Sequence, residues 1–107
     1  MNAVRPVNGG VRSTAAEVER FLEKTEKYRW FSPIPYEIAG DYYLGQKNAD
    51  AAELHYRKAL SLDEERPAIH RRLREIALQR GDREAAQKEL QRMRELFPSN
   101  PDYQKLQ

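Results

Sequence analysis

The sequence predicts an all-α protein, a right-handed stack of helix–turn–helix units preceded by an N-terminal helix. About half of its 107 residues are Ala, Glu, Lys, Leu or Arg, a composition typical of long helices and helical arrays. The prolines Pro33, Pro67 and Pro101 also stand 34 residues apart. The same interval separates Leu44 from Leu78, Ala52 from Ala86 and Leu62 from Leu96. Such a constant period indicates a repeated supersecondary unit.

The chain begins with a segment, residues 1–12, that contains Gly9-Gly10 and has no periodic apolar pattern, so we expect it to be flexible. This segment lacks the apolar stretch of a secretory signal, which favours a cytoplasmic location. Thr14 and Glu17 have the spacing of a capping box, in which a hydroxyl and a carboxylate each accept a backbone N–H. Apolar residues follow at helical spacing, which predicts a helix over residues 14–29.

The first unit is predicted to span residues 33–66. Pro33 suits the first turn of a helix, where its missing N–H leaves no hydrogen bond unmade. This helix should run to about Gln46 and be followed by a turn. Asp50 would then cap the second helix, with Glu53 three residues later.

The second unit is predicted to span residues 67–100. Its first helix should end at Gly81, because glycine readily adopts the left-handed conformation that closes a helix. Asp82 would cap the second helix. A partial third unit follows at residues 101–107, and with the N-terminal helix these units would form one helical domain over residues 13–107.

A helix–turn–helix period of this length resembles the tetratricopeptide repeat. The small and aromatic residues typical of that family correspond in the first unit to Gly40, Tyr43, Ala52, Tyr56 and Ala59. The second unit keeps Gly81, Ala86, Leu96 and Pro98 but departs from the family pattern at Arg74, Ala77, Leu90 and Met93. The resemblance covers about two-thirds of the chain and implies a non-catalytic protein–protein interaction module.

The resemblance also implies where a partner would bind, because the first helices of such units line a concave face. In this chain the corresponding residues are Ile34, Glu37, Asp41, Leu44, Ala68, Arg71, Glu75 and Leu78. Neighbouring members on each helix lie three or four residues apart, so they share a face. We therefore expect a scaffold or adaptor that holds a peptide or helix of a partner protein in this groove, although an ordinary solvated face stays open as an alternative.

A different kind of function is self-assembly, in which the chain would oligomerise through stacked repeat ends. Two repeats are fewer than the three or so that such arrays usually need for stability. Leu90, Met93, Phe97 and Leu106 would then form an exposed apolar end for a second copy. A third possibility is that the chain is a fragment of a longer array.

Several other classes of function are disfavoured. The chain has no cysteine, which excludes disulfide scaffolds, thiolate zinc sites and cysteine nucleophiles. His55 and His70 do not have metal-ligand spacing, and we expect His70 to be a packed residue. No glycine-rich phosphate loop is present, so we expect neither an enzyme nor a cofactor.

Two further kinds of partner are not expected. No apolar run is long enough to span a membrane. The segment from Arg66 to Arg94 is rich in arginine, but interleaved glutamates suggest surface ion pairs. Because no aromatic residues alternate with these arginines, nucleic acid is disfavoured as a partner.

Overall fold

The computed structural model describes residues 14–27 and 31–106, and within these ranges it contains six α-helices and no strand. The helices are α1 (Ala15–Lys27), α2 (Ile34–Gly45), α3 (Ala49–Leu62), α4 (Pro67–Gln79), α5 (Arg83–Leu96) and α6 (Pro101–Lys105). The predicted all-α class is thereby confirmed. Helix α1 forms one compact body, and a second compact body begins at Phe31 and contains both repeat units and α6.

Helix α1 begins with the capping box that the sequence predicts. The Thr14 hydroxyl accepts a hydrogen bond of 3.1 Å from the Glu17 N–H. A Glu17 carboxylate oxygen accepts one of 3.0 Å from the Thr14 N–H. The predicted flexible segment 1–12 and the last two residues of the helix predicted over 14–29 lie outside the described residues.

The first helices of the two repeat units end in the same backbone conformation. Lys47 has a φ of 59° and Gly81 a φ of 74°, and the two residues stand 34 apart in the sequence. Both values lie in the left-handed region, which glycine adopts at little cost and lysine does not. The expected role of Gly81 is confirmed, and Lys47 performs the same role in the first unit.

The cap of α3 is Asn48, so the prediction of Asp50 was wrong. The Asn48 side chain accepts a hydrogen bond of 3.1 Å from the N–H of Ala51. Because α3 begins earlier than expected, Asp50 lies in its first turn, where its negative charge interacts favourably with the helix dipole. In the second unit Asp82 caps α5 as predicted.

Helices α2 and α3 pack most closely at Gly40 and Tyr56. A Cβ atom at Gly40 would lie 2.9 Å from Cζ of Tyr56 and closer still to two other ring carbons. Ala52 and Ala59, on the same face of α3 as Tyr56, are fully buried. The Tyr56 hydroxyl donates a hydrogen bond to Asp41. Burial, together with this bond, raises the pKa of that hydroxyl.

The second unit has a core of aliphatic side chains instead of an aromatic ring. Ile69 of α4 and Leu90 and Met93 of α5 have no exposed surface. Leu90 corresponds to Tyr56 at the 34-residue interval, and Arg74, which corresponds to Gly40, is only partly buried. The two units therefore pack with different side chains.

A buried carboxylate joins α3, α4 and α5. Glu89 on α5 is 8% exposed, and its Oε2 atom accepts a hydrogen bond of 2.9 Å from Arg57 of α3. His70 of α4 is 2% exposed, and its Nδ1 lies 3.3 Å from Oε1 of Glu89. The other ring nitrogen, Nε2, lies 2.7 Å from the carbonyl oxygen of Glu64. The expectation that His70 is a packed residue is confirmed.

Helix α6 is held by aromatic and arginine contacts. Tyr103 is 4% exposed, and its ring meets that of Phe97 edge-on at a centroid distance of 5.9 Å. Arg94 donates a hydrogen bond of 2.9 Å to the Tyr103 carbonyl and another to that of Leu106. These contacts give the short helix a fixed position against α5.

The exposed apolar end predicted at Leu90, Met93, Phe97 and Leu106 is not found. Leu90 and Met93 are fully buried, and Leu106 is partly buried. Phe97 contacts both His70 and Tyr103. The prediction was wrong because these side chains belong to the core of the second unit and its junction with α6.

We expect Gly40→Ala to lower the free energy of unfolding by about 1–3 kcal/mol, because the added methyl group overlaps the Tyr56 ring. The ring has little freedom to move, since its hydroxyl is bonded to Asp41. Gly45→Ala is the matched control, because a Cβ there meets nothing within 4 Å, and it should stabilise the helix by up to about 1 kcal/mol. Urea unfolding of both variants tests this, and equal stabilities would contradict the close approach.

Glu89 should make the stability depend on pH in the acidic range. Burial opposes ionisation, but the hydrogen bonds from His70 and Arg57 outweigh it and lower the pKa of Glu89 in the folded state. Because the pKa of Glu89 is lower in the folded state, its ionisation stabilises the fold at pH values above the unfolded-state pKa. This stabilisation is lost as the pH falls through the folded-state pKa.

We therefore expect the free energy of unfolding to fall as the pH drops below about 5, and Glu89→Gln to weaken this dependence. The control is Glu84→Gln, because the Glu84 side chain is 84% exposed and pairs only loosely, at 3.6 Å, with Lys88. Denaturant titrations over a series of pH values measure both variants. An unchanged pH slope in Glu89→Gln would refute the assignment.

Candidate functional site

Helices α2 and α4, the first helices of the two units, are joined by ion pairs. Arg66, the residue before α4, donates hydrogen bonds of 3.1 and 2.7 Å from Nε and Nη2 to one carboxylate oxygen of Glu37. Further along, Nε of Arg72 lies 3.8 Å from a carboxylate oxygen of Asp41. Two acidic residues predicted for the groove, Glu37 and Asp41, are therefore directed to α4 and to the residue that precedes it. These ion pairs bring side chains of α2 close to α4.

Arg71, the one basic residue among the eight predicted for the groove, has a neighbour in α6. Arg71 donates a hydrogen bond of 2.9 Å to the hydroxyl of Tyr103, so it connects α4 to α6. Glu75 lies 3.8 Å from Arg72 on its own helix. Charged side chains thus connect α2 to α4 and, separately, α4 to α6.

None of the eight predicted groove residues is buried. Ile34 is 51% exposed and Leu78 is 47% exposed, which is unusual for large aliphatic side chains. Glu37, Leu44 and Ala68 are partly buried. The structure therefore leaves the predicted surface accessible, with apolar side chains on both helices.

Two residues of this surface were not among the predicted eight. Ile38 is 53% exposed and follows Ile34 by one turn of α2. Arg72 is the ion-pair partner of both Asp41 and Glu75. The signal for Ile38 was present in the sequence, because an isoleucine four residues after Ile34 continues the same helical stripe.

A cleft of about 350 Å³ opens between the two units. Its lining residues come from the end of α2, the following turn, the start of α3 and the second half of α4. They are Leu44, Lys47, Ala49, Glu75, Ile76 and Gln79. Two of the predicted groove residues, Leu44 and Glu75, thus line the same cleft.

Several arginines in the arginine-rich segment contact carboxylates of neighbouring elements. Arg80 pairs with Asp50 and, at 2.6 Å, with Glu53, both on α3. Arg92 pairs with Glu64 and, at 3.2 Å, with Glu95. The pairs of Arg80 and the Arg92–Glu64 pair join the second unit to the first, whereas Arg92 and Glu95 pair within α5. Their carboxylates lie outside the arginine-rich segment, so they are not the interleaved glutamates.

Each histidine packs against an aromatic ring, His55 against Tyr43 and His70 against Phe97. The His55 ring stacks on Tyr43 at a centroid distance of 5.1 Å, and its Nδ1 lies 2.8 Å from the Ala51 carbonyl oxygen. Across residues 14–27 and 31–106, no group of three or more potential metal-ligating side chains comes together. In the same part of the chain, each helix is too short or too polar to cross a membrane.

Comparison with known proteins gives one informative match. A family model described as tetratricopeptide repeat matches residues 43–107, which is more than half of the chain. Comparison with curated proteins gives no significant match. The matched range begins within α2, so it includes Leu44 and all four groove residues of the second unit, whereas Ile34 and Ile38 precede it.

Proposed function

Because this chain belongs to the tetratricopeptide repeat family, we propose that it is a scaffold or adaptor that binds a segment of a partner protein. Repeats of this family generally mediate protein–protein interaction and are typically non-catalytic. The binding site in this proposal is the surface of α2 and α4 that carries the predicted groove residues, and we call it the groove.

The observation that carries the proposal is the exposed apolar stripe of Ile34 and Ile38. Each side chain keeps about half of its surface accessible, at 51% and 53%. On α4, Leu78 adds a third exposed aliphatic side chain. Removing such surface from water is favourable, and apolar side chains grouped on one face are typical of interaction sites.

The charged residues of the groove would orient the partner rather than supply most of the affinity. Asp41, Arg72 and Glu75 keep 51%, 44% and 53% of their side-chain surface exposed. Their mutual distances of 3.8 Å are longer than hydrogen bonds. A partner can therefore pair with Arg72 or Glu75 without first breaking a hydrogen bond between them, whereas Asp41 already accepts one from Tyr56. Charged groups at such positions favour specificity and a defined register.

We expect the purified chain to select peptides with apolar side chains from a displayed library of random sequences. Ile38→Asp should lower the affinity for the selected peptides about tenfold or more, because it places a charge on the apolar stripe. The matched control is Leu54→Asp, since Leu54 is 68% exposed on α3 and lies outside the groove. Fluorescence anisotropy with the selected peptides measures the affinities, and circular dichroism confirms that both variants remain folded.

The proposal fails if selection enriches no peptide, or if Ile38→Asp and Leu54→Asp weaken binding equally. Sedimentation of the free chain tests self-assembly separately. A stable oligomer that binds no peptide would favour the structural alternative. A monomer that binds peptides through the groove would support an adaptor.

A further inference from the structure

The cleft between the two units suggests how the groove would recognise its partner. We propose that this cleft is an anchor pocket for one aromatic side chain with a hydrogen-bond donor, a tryptophan or a tyrosine of the bound segment. The inference rests on the proposed function, because it names the chemistry of the partner that the groove would hold. Three features of the lining residues support it.

Part of the cleft wall is apolar. Leu44 at the end of α2 and Ile76 of α4 are aliphatic, and Leu44 supplies more of the accessible surface because Ile76 is only 2% exposed. Ala49, in the first turn of α3, leaves space because its side chain is a single methyl group. The volume of about 350 Å³ lies at the lower end of the roughly 300–1,000 Å³ typical of ligand pockets. This size suits one large side chain.

Hydrogen-bond acceptors line the same cleft. Glu75 carries a carboxylate that lies 3.8 Å from Arg72, farther than a hydrogen bond, so its oxygens retain capacity to accept. The amide oxygen of Gln79 is a second acceptor among the lining residues. An aromatic body with an N–H or O–H at its edge matches apolar walls beside such acceptors. Leucine and phenylalanine have no donor to offer.

A cation completes the lining. Lys47 lies in the turn after α2, where its φ of 59° is an unusual conformation for a lysine. An ammonium group close to the face of an aromatic ring is attracted to the ring electrons. An aliphatic side chain in the cleft would gain no such attraction from the Lys47 ammonium group. Together, the walls, the acceptors and the cation favour tryptophan or tyrosine over other apolar side chains.

The test uses capped single residues as probes and nuclear magnetic resonance as the readout. We expect N-acetyltryptophanamide and N-acetyltyrosinamide to shift the backbone amide signals of Ala49, Ile76 and Gln79. N-acetylleucinamide at the same concentration should cause much smaller shifts. Glu75→Ala should lower the affinity for the aromatic probes about threefold to tenfold, the range for one lost hydrogen bond.

A pair of alanine variants tests whether the cleft itself is occupied. Ala49→Leu should abolish the shifts, because the larger side chain fills the space. The control is Ala85→Leu, since Ala85 is also partly exposed in the first turn of a helix, α5, and does not line the cleft. Ala85→Leu should leave the shifts unchanged.

The inference is overturned if no probe shifts these signals, or if leucinamide binds as well as the aromatic probes. A failure of the anchor-pocket proposal is distinguishable from a failure of the proposed groove. Selected peptides that bind without an aromatic residue, or that tolerate Ala49→Leu while losing affinity in Ile38→Asp, would leave the groove standing and refute the pocket. Probe binding without any selected peptide would refute the groove and leave the cleft as an isolated site.

Discussion

The close contact between Gly40 and Tyr56 is the constraint on which the proposed groove depends. Because Gly40 has no side chain, the Tyr56 ring lies directly against the backbone of α2, and its hydroxyl reaches Asp41. Asp41 is in turn the residue of α2 that faces Arg72 on α4. A contact in the core of the first unit therefore sets the position of a charged side chain on the surface. Packing inside the unit and the geometry of the groove cannot vary independently.

The second unit pairs its helices with different side chains. It has neither a glycine nor a tyrosine at the corresponding positions, and a leucine, Leu90, fills its core. The polar contact comes from Glu89, which contacts His70 within the unit and Arg57 of the preceding α3. One half of the groove is thus supported by an aromatic ring, and the other half by aliphatic side chains beside a buried carboxylate.

The repeated features were the predictable part of this molecule. The 34-residue period predicts the helices of both units, and the composition of the turn predicts Gly81 and Asp82, because these depend on local sequence alone. The groove residues follow from the resemblance, yet the pairing of Glu37 with Arg66 does not, since it joins residues 29 apart that come together through the fold. The burial of Leu90 and Met93 was missed because it depends on the packing of the second unit's own core, where the sequence departs from the family pattern.

The ion pairs between the units give the array a fixed order. Arg72 and Arg80, which pair with Asp41 and Glu53 of the first unit, correspond at the 34-residue interval to Ile38 and Gln46. A copy of the first unit placed after itself would therefore set these two carboxylates opposite an isoleucine and a glutamine, neither of which carries a charge. Duplicating the first unit would remove these ion pairs from the junction even if every unit folded correctly. The chain thus encodes which unit comes first in the chemistry of a single seam.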